Sequence, residues 1–220
     1  MRFFLLHFAG GNKYSFKRIF KDSRFKTLEI DRENSQVDID DIVDDLISKN
    51  FSQLYNEPYC IYGHSMGGLL AYLLCQKLQE KKLPMPEKLI VSGKLPPSMP
   101  RKKLISHLPD QEFWDEVVAL GGMPDEIKEY PELIEYYMPI LRFDFKLVED
   151  YRHEQKNKLT IPIDAFFGSE ETTYEEMEDW KNESIQEVKI TQLEGNHFFI
   201  FDHPDYFKNY FNTLITKSIC

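Results

Sequence analysis

The chain has 220 residues with 37 acidic and 27 basic side chains, a formal net charge of −10, so no basic stripe is available and nucleic acid and an anionic membrane surface are excluded as expected partners. Hydrophobic residues make up 42% and aromatic residues 14%, enough to bury a core without disulfide or metal staples, and a single unit over residues 1–220 is expected. No stretch nears the ~18 unbroken apolar residues of a membrane span, the apolar run after Met1-Arg2 is too short for a secretory leader, and the three cysteines Cys60, Cys75 and Cys220 suit reduced thiols, so a cytoplasmic protein is expected.

Residues 2–8, Arg-Phe-Phe-Leu-Leu-His-Phe, are continuously apolar, the pattern of a strand covered on both faces in a parallel sheet. They run into Ala9-Gly10-Gly11, small residues that let a substrate carbonyl come close to backbone N–H groups, which makes the Ala9 N–H a candidate oxyanion donor. An amphipathic stretch over 14–20 and a short strand over 25–30 follow. Next comes a helix in which Ile39, Ile42, Val43, Leu46 and Ile47 recur at i, i+3, i+4, i+7 and i+8. Its acids Asp38, Asp41, Asp44 and Asp45 are dense, but no histidine or second acidic element is placed to complete a metal site, so a solvated face is expected.

In residues 58–72 a buried strand, Tyr59-Cys60-Ile61-Tyr62, stops at Gly63-His64-Ser65-Met66-Gly67, and Leu69, Leu70, Leu73, Leu74 and Leu78 then mark a helix. G-x-S-x-G between strand and helix is the spacing of a nucleophile elbow. The glycines are needed because a Cβ two positions either side of a sharply turned serine would clash. Ser65 is therefore the candidate nucleophile, and the Met66 N–H, at the helix start, is the second candidate oxyanion donor. A glycine-rich turn with an inert serine is the bland alternative; the strand and helix flanking the turn speak against it.

Residues 87–93 read as another buried strand, after which the strand–helix alternation breaks. Residues 94–160 contain several prolines, short helical patterns over 110–120 and 125–134, and an aromatic-rich run over 136–151. That is too long for a structureless loop, so a helical insertion over about 95–160 is expected above the C-terminal ends of the strands, as a lid or chamber wall. The alternation resumes with a strand over 161–168, a helix over 174–181, a strand over 187–193 and the turn Glu194-Gly195-Asn196-His197. An apolar segment, 198–201, precedes a last helix with Asp202 as a candidate cap. The expected class is α/β, a mostly parallel central sheet flanked by helices. Basic groups at Lys13, Lys17, Arg18 and Lys21, and at Arg101, Lys102 and Lys103, serve either solubility or docking of an acidic partner.

A serine nucleophile needs a base, and the base an orienting carboxylate. The order serine, acid, histidine, each on a loop after a strand, selects His197. His64 adjoins the nucleophile and is excluded geometrically, His7 packs in or beside the first strand, and His107 and His153 belong to the insertion. His203 is the rival, but its Asp-His-Pro setting reads as a helix start. The acid should follow Gly168, where Glu170 and Glu171 both stand. Glu171 is favoured as the third residue past the glycine, with Glu170 the alternative. The chemistry these groups imply is acyl transfer to water, with no metal or organic cofactor.

Over nearly its whole length the chain also resembles a known family. The stretches that carry the resemblance are His7-Phe-Ala-Gly-Gly11, Gly63-His-Ser-Met-Gly-Gly68, His107-Leu-Pro-Asp110, Leu120-Gly-Gly-Met-Pro124, Pro139-Ile-Leu-Arg-Phe-Asp-Phe145, Trp180 and Gly195-Asn-His-Phe-Phe199. They are similar to those of type II thioesterases that accompany nonribosomal peptide and polyketide synthases, members of the α/β-hydrolase superfamily. The resemblance implies hydrolysis of acyl groups thioester-linked to the phosphopantetheine arm of an acyl or peptidyl carrier protein, for editing or release; a monomer is expected. Two departures stand out: Phe8 replaces the histidine of the usual Pro-His-Ala-Gly-Gly, and a glutamate replaces the usual aspartate of Gly-x-x-Asp. A carboxylesterase acting on small free esters and a carrier-binding pseudoenzyme are the competing readings.

Overall fold

Four of the apolar runs become the middle of one sheet. In the computed structural model, which describes residues 1–32, 38–54, 57–99, 103–121 and 130–217, the strands are β1 (Arg2–Leu6), β2 (Phe25–Thr27), β3 (Tyr59–His64), β4 (Lys88–Ser92), β5 (Ile163–Gly168) and β6 (Val188–Leu193). They lie in the order β2-β1-β3-β4-β5-β6, and every neighbouring pair is parallel. β3 and β5 are buried at every position, whereas β6, on the edge, is buried at none. This is the signature of strands covered on both faces, with helical layers doing the covering.

The period-two alternation sorts the strand residues into two cores. Phe4, Leu6, Ile61, Val91 and Ala165 face α1 (Ile39–Leu54) and α2 (Met66–Glu80). Phe3, Leu5, Tyr62, Ile90 and Phe166 face Phe16, Phe20, Phe207 and Phe211. The last two come from the C-terminal helix, numbered α6 below, while residues 14–20 form successive turns rather than a regular helix, with Ile19 N–H on Phe16 C=O at 2.9 Å. The acidic side chains of α1 hold lysines: Asp44 meets Lys77 at 3.0 Å and Lys81 at 2.6 Å.

Between β4 and β5 the strand–helix alternation is interrupted by a longer segment. It contains α3 (Asp110–Ala119) and α4 (Pro131–Asp150), which share a third core of Ile105, Phe113, Trp114, Val117, Leu141 and Phe145. Where the sequence pattern suggested one helix over 125–134 and a separate run over 136–151, α4 is a single 20-residue helix with Pro131 in its first turn and Pro139 inside it. A mid-helix proline removes one backbone hydrogen bond, and Pro139 sits on the exposed face, where burial adds no further cost. Residues 125–129, along with Arg101 and Lys102, lie outside the described residues.

The remaining elements are α5 (Tyr174–Glu178), a 3-10 turn over Asp179–Asn182 that buries Trp180, a second 3-10 turn over Phe199–Phe201 and α6 (Pro204–Lys217). Thr173 opens α5 with a reciprocal capping box to Glu176, which satisfies two otherwise orphaned N–H groups. Asp202 is not the cap of the last helix. It closes the preceding 3-10 turn, and α6 begins at Pro204, whose fixed φ and missing N–H suit a first helical position.

Candidate active site

Ser65 is the single residue between β3 and α2, and it turns the chain with φ 56° and ψ −117°. Such a left-handed backbone on a non-glycine residue costs of order 1–3 kcal/mol, so the surroundings must impose it. They do so with glycines. A Cβ on Gly63 would stand 2.0 Å from the Gly67 carbonyl oxygen, and one on Gly67 would stand 2.0 Å from the Leu6 carbonyl oxygen. The Ser65 N–H donates to Ser92 C=O at the end of β4, at 2.8 Å.

His197 and Glu171 arrive from the two loops past β6 and β5. The His197 Nε2 is 2.8 Å from Ser65 Oγ, and its Nδ1 is 2.5 Å from Glu171 Oε1. With Nδ1–H donating to the carboxylate, Nε2 is left to accept the serine proton. Glu171 is held by a turn in which its N–H meets Gly168 C=O at 3.0 Å, while Gly168 N–H lies 3.4 Å from Glu171 Oε2. Its side chain is 17% exposed. Glu170, the other candidate acid, is exposed; its contribution is a backbone one, an N–H donated to Gly195 C=O at 3.0 Å that ties the acid loop to the histidine loop. Gly168 permits that contact, since a Cβ there would lie 2.4 Å from the Asn196 carbonyl oxygen.

Two cavities meet at Ser65 and His197, one of about 360 Å³ that Ala9, Gly10 and Val117 also line, and one of about 260 Å³ that Met66, Ile105 and Glu171 also line. Leu120 and Phe145 border both as well. Ala9 thus opens on one cavity and Met66 on the other. Met66 is the first residue of α2, and the first N–H groups of a helix have no intrahelical acceptor. Lys103, which lines the second cavity, pairs with Glu116 at 2.5 Å.

The family-model match decides what this constellation belongs to: the model described as "Thioesterase domain" covers residues 1–214. The chain belongs to the thioesterase family. Gramicidin S biosynthesis protein GrsT of Aneurinibacillus migulanus is 29% identical over 217 residues, covering 92% of this chain and 84% of that one. The medium-chain S-acyl fatty acid synthase thioesterase of Homo sapiens is 30% identical over 183 residues, 79% of this chain and 68% of its own. Among solved structures, ClbQ from the colibactin NRPS/PKS pathway superposes with a TM-score of 0.87 at 26% identity, over 98% of this chain and 97% of that one. The sheet and helical layers of this thioesterase accordingly have the α/β-hydrolase fold.

His203, His7 and His64 make contacts of their own. His203 Nε2 donates to Glu194 C=O at 2.8 Å. His7 is buried past the end of β1, its Nδ1–H on Phe8 C=O at 2.9 Å, and burial lowers its pKa to about 4. His64, dismissed from the sequence, lies directly behind His197, with ring centroids 5.2 Å apart. Its Nδ1 is 2.8 Å from Ser92 Oγ, which is itself 2.7 Å from the Tyr62 hydroxyl. Burial holds the His64 pKa well below its ordinary value, so a neutral ring backs the candidate base. Phe8, at the family's usual histidine position, stacks edge-on against Phe16, His64 and Phe198, making an aromatic wall for the first cavity. Sequence reasoning also passed over Asp144, although it stood in a motif already quoted; a lone aspartate in an apolar helical run was the available signal.

Proposed function

We propose that this thioesterase hydrolyses acyl groups thioester-linked to the phosphopantetheine arm of a carrier protein, through Ser65, His197 and Glu171. The observation that carries the reading is the continuous hydrogen-bonded line from Glu171 to His197 to Ser65 at the junction of two cavities. A thioester whose acyl chain and pantetheine arm diverge from one carbonyl suits two lobes meeting at the nucleophile. GrsT is named for gramicidin S biosynthesis and ClbQ for an NRPS/PKS pathway, which favours an assembly-line carrier as the source of the thioester, for editing or for release.

In the proposed cycle the Ser65 hydroxyl gives its proton to His197 Nε2 as Oγ bonds to the thioester carbon. The carbonyl oxygen becomes an oxyanion held by the N–H groups of Ala9 and Met66. The carbon–sulfur bond then breaks, and the imidazolium protonates the departing sulfur, releasing pantetheine thiol and leaving an acyl ester on Ser65. Water, deprotonated by the same nitrogen, attacks that ester; the free carboxylic acid leaves and Ser65 recovers its proton. Glu171 stays ionised throughout and stabilises the imidazolium. A monomer acting in the cytoplasm belongs to the same proposal. No helix among the described residues is long and apolar enough to cross a membrane.

The test is hydrolysis of acyl-phosphopantetheinyl carrier protein followed by mass spectrometry, beside the matching p-nitrophenyl ester, with wild type and Ser65→Ala. Faster cleavage of the carrier thioester, abolished in Ser65→Ala, is expected. Preference for the free ester would overturn the carrier reading in favour of a carboxylesterase. An intact fold with neither activity, and no fluorophosphonate labelling of Ser65, would indicate a carrier-binding protein without catalysis.

A further inference from the structure

The loop Ala9-Gly10-Gly11 has no regular structure of its own, yet an oxyanion donor is useful only if it is held in place before the charge develops. The structure fixes this loop from outside. The Gly10 N–H donates to Asp144 Oδ2 at 2.7 Å. The same carboxylate accepts Arg32 Nε on Oδ1 at 2.8 Å and Arg32 Nη2 on Oδ2 at 2.7 Å. Arg32 Nη2 also donates to Gly11 C=O at 3.1 Å. Two successive residues of the loop are therefore held by one ion pair, whose anion comes from α4 and whose cation lies beyond β2.

The burial of this pair is informative. The Asp144 side chain is fully buried and that of Arg32 is 21% exposed. A buried ion pair adds little net stability compared with apolar residues of the same volume, but a forked guanidinium on a carboxylate fixes orientation as well as distance. One helical turn before Asp144, Leu141 closes on the same loop: a Cβ on Gly10, where φ is +76°, would lie 2.7 Å from Leu141 Cδ2. The loop is thus clamped against α4 by an apolar contact and a charged one on a single helix face.

We propose that Asp144 and Arg32 are positioning residues for the oxyanion hole. By holding Gly10 and Gly11 they set the direction of the adjacent Ala9 N–H, and α4 becomes a part of the catalytic apparatus as well as a wall over the cavity. The proposal rests on the serine chemistry put forward above, and is independent of whether the acyl group arrives on a carrier protein.

The test compares wild type with Asp144→Asn, which preserves volume while weakening the fork, and Arg32→Lys, which preserves charge but not the fork. Each is assayed on p-nitrophenyl acetate and on acyl-carrier protein. Affinity is measured for an acyl trifluoromethyl ketone, which adds Ser65 to form a tetrahedral oxyanion, and for the matching unreactive amide. Loss of an oxyanion donor costs about 10²–10³ in kcat, so misalignment should lower kcat roughly 10- to 100-fold. KM should stay within about two-fold, because the ground state is bound as before. Trifluoromethyl ketone affinity should fall with kcat while amide affinity holds. Unchanged kcat in a folded Arg32→Lys, or parallel loss of both affinities, would overturn the proposal even if Asp144→Asn fails to fold. Wild type that cleaves the ester but not the carrier thioester would refute the substrate reading alone, whereas wild type that forms no adduct with the ketone would refute both.

Discussion

Glu170 and Glu171 have the same side chain and adjacent positions, and only the turn after Gly168 separates their roles. That turn points one carboxylate at His197 and leaves the other exposed. Glu171→Gln should lower kcat by about 10²–10⁴, since the amide no longer stabilises the imidazolium or fixes its tautomer. Glu170→Gln, which keeps its backbone bond to Gly195, should stay within about two-fold; steady-state rates on one acyl thioester decide, and equal losses would remove the distinction. Gly67→Ala is a harsher change. Its Cβ would face the Leu6 carbonyl, which is backbone in a central strand and has no rotamer to yield, so little soluble protein is expected on expression. Ser65 and His197 were legible because their glycine-flanked turns leave a spacing in the sequence. The carboxylate that meets His197 was legible only to a pair, since turn geometry past Gly168 depends on hydrogen bonds that residue type does not encode. Asp144 acquires its meaning only when α4 meets the loop after β1, a contact between residues 134 positions apart.

At the scale of elements, strands were easier to read than the insertion. The continuous apolar runs became β1, β3, β4 and β5 because burial on both faces leaves no other composition available. The sequence pattern divides this region into a helix over 125–134 and an apolar run over 136–151, whereas tertiary packing of Leu141, Phe145 and Val148 holds one helix across Pro139. Residues 14–20 kept the amphipathic pattern without forming a helix, their apolar side chains reaching the core from turns. Phe145 on α4 yields the prediction for this scale. It lines both cavities, so Phe145→Ala should widen the space beside Ser65 and move the preferred acyl chain to greater length, read from rates over a series of acyl thioesters. The same change removes most of a buried ring and should cost about 3 kcal/mol of stability by urea unfolding. An unaltered length profile would show that Phe145 does not limit acyl length.

For the whole molecule, buried histidines make stability depend on pH. His7 has a pKa lowered from 6.5 to about 4 by burial, so between those values the unfolded chain binds a proton that the folded chain does not. Stability therefore rises with pH across this window; as pH falls, the loss begins near 6.5 and is complete below about 4. Linkage puts the His7 share at about 2 kcal/mol by pH 5, and His64 acts in the same direction. Urea midpoints at pH 7 and pH 5 should differ more in wild type than in His7→Asn, and an identical difference would assign the acid lability elsewhere. The parallel sheet has a separate consequence in time. Every strand pair needs a crossover, such long-range pairings form slowly, and His197, the proposed proton acceptor for Ser65, lies 132 residues further along the chain. A chain in which β1, β3 and β4 had paired before β5 and β6 docked would have the elbow without His197 beside it. On refolding from urea, hydrolytic activity should therefore return only with the phase that docks β5 and β6, and activity that precedes that phase would show that the elbow works without His197.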